Sequence, residues 1–487
     1  MLSSAVNQFD CLFNPTSVAV IGANNEFGKW GFDLLQAIIE SNSQLKVYPV
    51  NTRATEVCGI KSYRKVSDIP GDVDLAVVAI PRSNVPSAMR DCVDKGIKGA
   101  IIITGGFDET DDEGARLQDE ITEICRDGGL RFIGPNTMGH FNMTSKFNTC
   151  PWIPGIKKGA VSFLSQSGNL GVLTLQQGID EGIGFSKFVG TGNETDLHLE
   201  DFLQYLGQDD DTGVITIYIE GLREGQRFLN LAKEITPRKP IVALKAGRTA
   251  EGARASMSHT ATLTGTDIAY DAMFKQAGVV RVEEAEELLG TAVALSRQPL
   301  PRGNRVGIIT MGGGFGVVAT DACQKMGLEV TPLSSGTIQK LNSILLPIWS
   351  HGNPVDMLGE HFISYDCLNA VLEDENVDAV LGIGVLATIR IIHERLKAFS
   401  ATKREKISSM LMEREEEELD QLDAIIRRMD ELQKPIIYCS GSPFLTRRGS
   451  KPHQKLRENN ILLYPTPEAG IKVLAHLVEY SNYRHHR

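Results

Sequence analysis

The stretch VAVIGANNEFGKWGFDLLQAIIESNSQLKVYPV, residues Val18–Val50, carries the pattern that decides the fold. A short apolar run, Val18–Ile21, ends at Gly22, and a helical pattern follows at Phe32–Glu40. A second apolar run occupies Lys46–Val50. Strand, glycine turn, helix and strand in this order are typical of a parallel sheet that helices cover on both faces.

The same pattern continues along the chain and predicts an α/β fold of three doubly wound parallel-sheet domains. The 487 residues fit three domains at roughly 150 residues each. Further strands are predicted at Leu75–Ile80, Gly99–Ile103, Arg131–Gly134, Gly159–Leu164, Val214–Ile219, Pro240–Lys245, Arg305–Thr310, Ala379–Ile383 and Pro435–Tyr438. Prolines and a glycine between 299 and 303 indicate a linker. We therefore predict domains at 1–150, 151–298 and 303–480, the last with a charged, solvated helical insertion at 391–432.

Composition and charge disfavour several classes of function. The formal net charge of -11 argues against non-specific nucleic-acid binding, which needs a basic face. No apolar stretch is long enough to span a bilayer, and Met1–Asp10 lacks the pattern of a signal peptide. The 8 cysteines are scattered without a C-x-x-C pair, which favours free thiols in a reducing cytoplasm. We expect a cytoplasmic protein with no metal site of its own, no nucleic-acid partner and no membrane contact.

The first glycine turn is a candidate anion site. Gly22, Asn24 and Gly28 lie between a strand and a helix start, where free N–H groups and the helix dipole favour a phosphate. Neither G-x-G-x-x-G nor G-x-x-x-x-G-K-[ST] occurs in this turn, so the dinucleotide and Walker A patterns are absent. The alternative is a glycine turn that only packs the helix on the sheet.

Three later turns follow predicted strands, where α/β folds place their ligands. They span Gly134–Gly139, Ser165–Asn169 and Gly312–Gly316. The last two can offer hydroxyl and N–H groups to a phosphate at a helix start. Their candidate phosphate-binding residues are Ser165, Ser167, Gly168, Gly312, Gly313 and Gly314. Simple turn chemistry and a serine N-cap are the alternatives.

The densest chemistry lies in KAGRTAEGARASMSHTATLTGTD, residues Lys245–Asp267. His259 stands there among small polar neighbours, which disfavours a core position. A neutral imidazole is nucleophilic near pH 7 and can accept a phosphoryl group, whereas a plain surface histidine is the alternative. Glu220 follows the strand Val214–Ile219, and its carboxylate could orient the ring of His259 through the other nitrogen. For Glu220 the alternative is an exposed glutamate at a strand end.

Seven segments, in the same order along nearly the whole chain, resemble the α subunits of NDP-forming acyl-CoA synthetases. This is the ADP-forming acetyl-CoA synthetase type, which is related to succinyl-CoA synthetase. The segments are FNPTSVAVIGAN (Phe13–Asn24), IGPNTMG (Ile133–Gly139), FLSQSGNLG (Phe163–Gly171), IYIEG (Ile217–Gly221), the KAGRT…SHTATLTGTD segment, TMGGGFGVVATD (Thr310–Asp321) and HGNPVDMLG (His351–Gly359). The seven together are far more specific than any one of them.

The resemblance implies a Rossmann-like CoA-binding domain and two flavodoxin-like ligase domains. In such enzymes acyl-CoA and phosphate give acyl phosphate and CoA, and the phosphoryl group then passes through a histidine to ADP on an ATP-grasp domain. His259 matches that histidine and Glu220 matches its supporting glutamate, while the two serine and glycine turns match the helix starts that hold the phosphohistidine. The residues assigned to the CoA site are Gly22, Asn24, Gly28, Asn51, Arg53 and Asn136.

The three predicted domains use up the chain, so an ATP-grasp domain is expected on a separate β subunit. That subunit would carry ADP or ATP with Mg²⁺, and an α₂β₂ assembly would fit the family. The expected substrate is a small carboxylic acid and its acyl-CoA. One alternative is a CoA- or acyl-CoA-binding regulatory module without phosphotransfer, which the presence of His259 and Glu220 disfavours. Another is an NAD-dependent dehydrogenase, which the absent G-x-G-x-x-G pattern disfavours.

Overall fold

Three parallel or mostly parallel sheets, distributed over two compact units, form the framework of the molecule. The computed structural model describes residues 9–249, 251–252, 266–386, 401–440 and 450–485. The units are Met1–Leu288, with a five-stranded and a seven-stranded sheet, and Leu289–Arg487, with a six-stranded sheet. Helices flank the sheets, so the predicted α/β class is confirmed.

The first sheet is built from the N-terminal part of the chain. Its strands and an adjoining hairpin are β1 (Ser17–Ile21), β2 (Lys46–Val50), β3 (Glu56–Val57), β4 (Ile60–Lys61), β5 (Leu75–Val78), β6 (Gly99–Ile102) and β7 (Arg131–Ile133); the helices are α1 (Trp30–Ser41), α2 (Val85–Lys95) and α3 (Asp112–Gly128). The order is β2-β1-β5-β6-β7, parallel throughout, and β3 pairs only with β4. Every residue of β1 and β5 is buried, as continuous apolar strands require. From β1 the chain runs to β2 on one side, and it then crosses back to β5 on the other side of β1. A crevice therefore opens beyond the ends of β1 and β5.

The second sheet repeats this plan with two additional strands. Its strands are β8 (His140–Asn142), β9 (Phe147–Asn148), β10 (Lys157–Ser165), β11 (Gly184–Gly190), β12 (Val214–Ile219), β13 (Ile241–Lys245) and β14 (Val280–Val282); the helices are α4 (Gly168–Asp180), α5 (Leu199–Gln208), α6 (Gly225–Ile235) and α7 (Asp267–Ala277). The order is β14-β13-β12-β10-β11-β8-β9, and only β8 and β9 run antiparallel to their neighbours. The crevice of this sheet lies beyond β10 and β12.

The third sheet lies in the second unit. Its strands are β15 (Arg305–Thr310), β16 (Glu329–Val330), β17 (Val355–Asp356), β18 (Ala379–Ile383), β19 (Ile436–Cys439) and β20 (Leu463–Tyr464). Helix α8 (Ala285–Arg297) precedes them, followed by α9 (Gly313–Lys325), α10 (Ser335–Ile344), α11 (Ser364–Leu372), α12 (Ala401–Leu432), α13 (Lys451–Glu458) and α14 (Pro467–His485). The order is β16-β15-β18-β19-β20, with β17 paired to β15, and all pairs are parallel.

The charged insertion forms one long helix, α12, over the part that the structure describes. The expectation that it is solvated is wrong for its C-terminal half, because Leu422, Ile425 and Met429 are buried in the core of the second unit. These apolar residues recur at helical spacing and pack one face of α12 onto that core. The composition of the whole segment is dominated by charged residues, so it does not reveal this narrow apolar stripe.

The boundaries of the predicted domains stay predictions. Residues 140–148, which the sequence places in the first domain, contribute β8 and β9 to the second sheet. His140 at the start of this hairpin is fully buried, and its Nε2 lies 2.7 Å from the backbone oxygen of Leu12. The hairpin is thereby tied to the segment that precedes β1. Among the described residues no helix is long and apolar enough to cross a membrane.

Candidate functional site

The turn between β1 and α1 has room only for glycine at two positions. Gly22 has a φ of 96°, and a Cβ added there would lie 2.2 Å from the backbone oxygen of Ala79. A Cβ on Gly31, in the first turn of α1, would lie 1.9 Å from the oxygen of Gly22. These glycines therefore pack α1 closely against the sheet, and this packing holds the start of α1 at the crevice. Gly28 also has a positive φ, 82°, but a Cβ there would meet open space.

Asn51 and Asn24 shape the loops beside this turn. The Nδ2 of Asn51 donates to the oxygen of Ala23 at 2.7 Å, and its Oδ1 accepts from the N–H groups of Arg53 and Ala54. The Oδ1 of Asn24 accepts from the N–H of Glu26 at 2.8 Å. Asn51 thus joins the end of β2 to the turn after β1. The side chain of Arg53 is exposed.

The turn after β10 prepares the start of helix α4. The hydroxyl of Ser165 is buried and donates to the oxygen of Ser167 at 2.7 Å, so it shapes the turn. Ser167 holds the N-cap position, but its side chain makes no capping hydrogen bond. The side chain therefore leaves the first N–H groups of α4 uncapped, including that of Gly168. A Cβ on Gly168 would lie 2.5 Å from the Cγ of Met138, so the helix start approaches the turn after β7 closely.

Glu220 follows β12, next to this helix start. Its N–H and that of Gly221 are bound by the Oε1 of Gln166, at 2.6 Å and 3.1 Å. The carboxylate of Glu220 neighbours the hydroxyl of Tyr218, and burial together with this carboxylate raises the pKa of Tyr218 to about 12. The sequence places Gln166 in the turn Ser165–Asn169 but gave no indication that its side chain holds the backbone of Glu220.

A cavity of about 770 Å³ in the first unit is lined by residues that follow strands of both sheets. It brings together five of the predicted site residues: Asn24, Asn136, Ser167, Gly168 and Glu220. Gly22, Gly28, Asn51, Arg53 and Ser165 do not line it. Residues of the predicted CoA site and of the predicted phosphate-binding turn after β10 thus share one cavity.

The cavity also contains a buried carboxyl group that the sequence did not reveal. Glu194 lines the cavity with an exposed fraction of only 3%. Burial raises the pKa of Glu194 to about 7, well above the usual range of a glutamate. Glu194 follows β11 in the turn Gly190–Glu194. A turn that contains glycine and follows a strand, like the turns that were predicted, is the sequence signal that could have identified it.

Asn193 joins the two walls of the cavity. Its Nδ2 donates to Glu109 Oε2 at 2.6 Å and to Gln118 Oε1 at 3.0 Å, both from the first-sheet side. Its Oδ1 accepts from the Nδ2 of Asn136 at 3.3 Å, and its backbone oxygen accepts from Arg223 at 2.9 Å. These contacts hold the loops after β7, β11 and β12 together. Arg223 also places a cationic group at the cavity.

The predicted phosphate turn of the second unit has the same local construction as the turn after β10. Thr310 ends β15, and its Oγ1 donates to the oxygen of Gly312 at 3.0 Å. Gly312 is the N-cap of α9 and offers no side chain, and Gly313 and Gly314 form the first turn of the helix. The start of α9 therefore lies at the crevice beside β15 and β18, with no side-chain cap.

His259, the predicted catalytic residue, lies outside the described residues. The described chain stops at 252 and resumes at 266, where α7 begins after Thr266. No group of three or more His, Cys, Asp or Glu side chains that could hold a metal ion occurs within the described ranges.

Comparisons with known proteins give the family. Residues 158–295 match the profile of the succinyl-CoA ligase like flavodoxin domain, and residues 16–142 match that of a CoA binding domain. The chain is 44% identical to the α subunit of acetate–CoA ligase (ADP-forming) II of Pyrococcus furiosus, over 78% of this chain and 83% of the relative. It is 34% identical to the α subunit of ligase I of that organism, over 98% of both chains. The chain belongs to the α subunits of the ADP-forming acyl-CoA synthetases.

Solved structures agree with this family. A protein of Pyrococcus horikoshii is 35% identical over 98% of this chain and 99% of its own, with a TM-score of 0.79. A second structure is the dinucleotide forming acetyl-coenzyme A synthetase 1 of Ca. Korarchaeum cryptofilum in complex with phosphate and ADP. It is 31% identical over 98% of this chain and 97% of its own, with a TM-score of 0.83. The acetate–CoA ligase (ADP-forming) of Methanocaldococcus jannaschii is longer: 96% of this chain matches 62% of that relative, at 37% identity.

Proposed function

We propose that this chain is the α subunit of an acid–CoA ligase that interconverts acyl-CoA, ADP and phosphate with a small carboxylic acid, CoA and ATP. The observation that supports this most directly is the shared cavity, in which Asn24 and Asn136 of the first-sheet side face Ser167, Gly168 and Glu220 of the second-sheet side. A ligase of this type must bring a CoA thioester and a phosphate together, and a cavity between two anion-binding turns suits that task.

The first-sheet wall of the cavity fits CoA, whose phosphates are anionic. Helix α1 begins at the cavity without a side-chain cap, and Lys29 occupies its N-cap position. Backbone N–H groups, the helix dipole and this ammonium group all favour a phosphate. Trp30 lines the cavity with 38% of its surface exposed and offers a flat apolar face to an organic group. Gly22, Gly28, Asn51 and Arg53 would form and flank this wall.

The second-sheet wall fits the phosphate and the acyl phosphate. The uncapped start of α4 supplies N–H donors at Ser167 and Gly168, and donors fixed in place stabilise the charge of a phosphoryl group in transfer. In the first step a phosphate oxygen attacks the thioester carbonyl carbon, and the C–S bond breaks to release CoA. In the second step a ring nitrogen of His259 attacks phosphorus, and the P–O bond to the acyl group breaks to release the carboxylic acid.

The third step moves the phosphoryl group from His259 to a terminal phosphate oxygen of ADP, which releases neutral histidine. The carboxylate of Glu220 would hold the ring N–H opposite the reacting nitrogen and stabilise its positive charge. For Gly312, Gly313 and Gly314, at the start of α9 in the second unit, we propose a role as further N–H donors to a phosphoryl group.

The nucleotide site is proposed for a partner chain. The M. jannaschii relative, of which this chain matches 62%, has length left for a further domain, and other relatives are named as α subunits. We propose an ATP-grasp β subunit that binds ADP or ATP with Mg²⁺, in an α₂β₂ assembly in the cytoplasm.

Phosphorylation of His259 tests the proposal. The purified chain is incubated with CoA and a panel of acyl phosphates, and one added phosphoryl group is sought by intact mass and acid lability. We expect a label in the wild type, none in His259→Ala, and slower labelling in Glu220→Gln, whose carboxylate charge is removed with little change of shape. Absence of labelling in the wild type, even with a co-expressed ATP-grasp partner and ATP, would refute the ligase function. Tight CoA binding without labelling would then favour a CoA-binding regulatory module.

A further inference from the structure

Three strand ends of the second sheet are joined by a single side-chain amide, that of Gln166. Its Nε2 donates to Glu194 Oε1 at 3.1 Å and to the backbone oxygen of Gly221 at 2.7 Å. Its Oε1 accepts from the N–H groups of Glu220 at 2.6 Å and Gly221 at 3.1 Å. An amide has two N–H donors and an oxygen with two lone pairs, so the whole capacity of this group is used.

Glu194 helps to determine which way this amide faces. The carboxylate of Glu194 and the oxygen of Gly221 both require a donor on their side of the amide, and the two N–H groups after β12 require an acceptor on the other. A rotation of the amide by half a turn would set Oε1 of Gln166 against the carboxylate and leave two N–H groups facing an NH₂ group. Without Glu194, one of the reasons against that rotation is removed.

The position of Glu194 is itself well determined. The residue has a φ of 53°, in the left-handed region that few non-glycine residues adopt, and it sits beside Gly192 with a φ of 66°. A Cβ on Gly192 would lie 2.3 Å from the backbone oxygen of Pro135, so the turn is pressed against the loop after β7. The turn thus presents a buried carboxyl group to Gln166 from a rigid support.

We propose that Glu194 is a positioning residue, which acts through Gln166 to hold the backbone of Glu220 and Gly221 and so sets where the carboxylate of Glu220 enters the cavity. The inference rests on the proposed function, in which Glu220 supports the phosphorylated histidine. A buried carboxyl group is costly to a fold, and burial raises the pKa of Glu194 to about 7. The hydrogen bond to Gln166 gives this buried carboxyl group a role in the cavity wall.

The test uses three single variants of the full-length chain. Glu194→Ala removes the acceptor for Gln166, whereas Glu194→Gln keeps an acceptor oxygen at the same place. Glu287→Ala is the matched control, because Glu287 is buried in the first unit and accepts from the N–H of Glu283 at 2.8 Å, but does not line the cavity. Thermal unfolding of each variant establishes that it is folded.

The first readout is the single-turnover rate of His259 phosphorylation by acetyl phosphate. We expect Glu194→Ala to slow it by roughly tenfold or more, with the affinity for CoA within about twofold of the wild type, because only an orienting contact is lost. Glu194→Gln should recover most of the rate, and Glu287→Ala should keep it. In a Glu220→Ala background, Glu194→Ala should cause no further slowing. Slowing that multiplies in the double variant would overturn the inference while leaving the ligase function intact.

The second readout does not depend on activity. Amide hydrogen exchange at Glu220 and Gly221 reports whether Gln166 still binds their N–H groups. We expect it to be about tenfold faster or more in Glu194→Ala and unchanged in Glu287→Ala. Unchanged exchange in Glu194→Ala would overturn the positioning role. If the wild type is not labelled at His259, the proposed function fails, and this exchange measurement alone decides whether Glu194 positions Glu220.

Discussion

A buried glutamate on the charged helix α12 should make the second unit less stable as the pH rises. Glu418 is only 8% exposed, and its Oε1 accepts a hydrogen bond from the hydroxyl of Tyr365 at 3.2 Å. Burial raises the pKa of Glu418 from 4.5 to about 7. Because the folded pKa lies above the unfolded one, the stabilisation is fully present below the unfolded pKa and is lost as the pH rises through the folded pKa. Between about pH 5.5 and about pH 8 this one group should remove about 2 kcal/mol of stability.

Urea unfolding at these two pH values measures the effect. In a background with Trp30→Phe and Trp152→Phe, fluorescence reports Trp349, which is buried in the second unit. Glu418→Gln keeps an acceptor for Tyr365 but cannot ionise, so the loss of stability between the two pH values should shrink by about 2 kcal/mol. Glu416→Gln, at an exposed position of the same helix, controls for the change of net charge and should behave as the parent does. An equal pH dependence in the parent and in Glu418→Gln would refute the reasoning.

Three further predictions concern the first unit. Gly31→Ala would place a Cβ 1.9 Å from the oxygen of Gly22, so the turn between β1 and α1 must open. The affinity for CoA, measured by calorimetry, should therefore fall by about tenfold or more. An unchanged affinity would contradict the proposed CoA site. CoA, but not NADH, should quench Trp30 fluorescence, and Trp30→Phe should abolish this response. Lys187→Ala should cost about 3–5 kcal/mol in urea unfolding, because it leaves the carboxylate of Asp209, which is 12% exposed and lies 2.8 Å from the Nζ, without its cation. A loss below about 1 kcal/mol would show that water compensates Asp209.

The fold was predictable where strands are continuous apolar runs. The bounds of β2, β12, β15 and β18 agree with the sequence prediction. Strands β12 and β18 are buried at every residue and β15 at all but its first, so these three are covered on both faces and consist almost wholly of apolar residues. Strand β11 was missed, although all but its first residue are buried. Its sequence GFSKFVG hides two buried polar residues, Ser186 and Lys187, whose partners Ser162 and Asp209 come from other elements. A sequence pattern assigns such polar residues to the surface, because the hydrogen bonds and ion pairs that permit their burial come from residues distant in the sequence.

The candidate site was predictable to the same degree and for the same reason. Glycine turns after strands identified the edges at which Asn24, Asn136, Gly168 and Glu220 meet. The contact between Gln166 and Glu194 was not predictable, because it joins side chains from two strand ends that are neighbours only in the folded sheet. The role of His259 stays a prediction, since it lies outside the described residues.

The serine N-cap alternative is correct for the position of Ser167 but not for its hydrogen bonding. Ser167 does occupy the N-cap of α4, as that alternative requires, yet it makes no capping hydrogen bond. The hydroxyls that shape the turns belong instead to the last strand residues, Ser165 and Thr310, each bonded to the backbone oxygen two residues ahead. An absent N-cap side chain costs a helix about 1 kcal/mol. Both helices carry this cost at the crevice of their sheet, where the uncapped N–H groups are free to bind an anion whose binding would offset it.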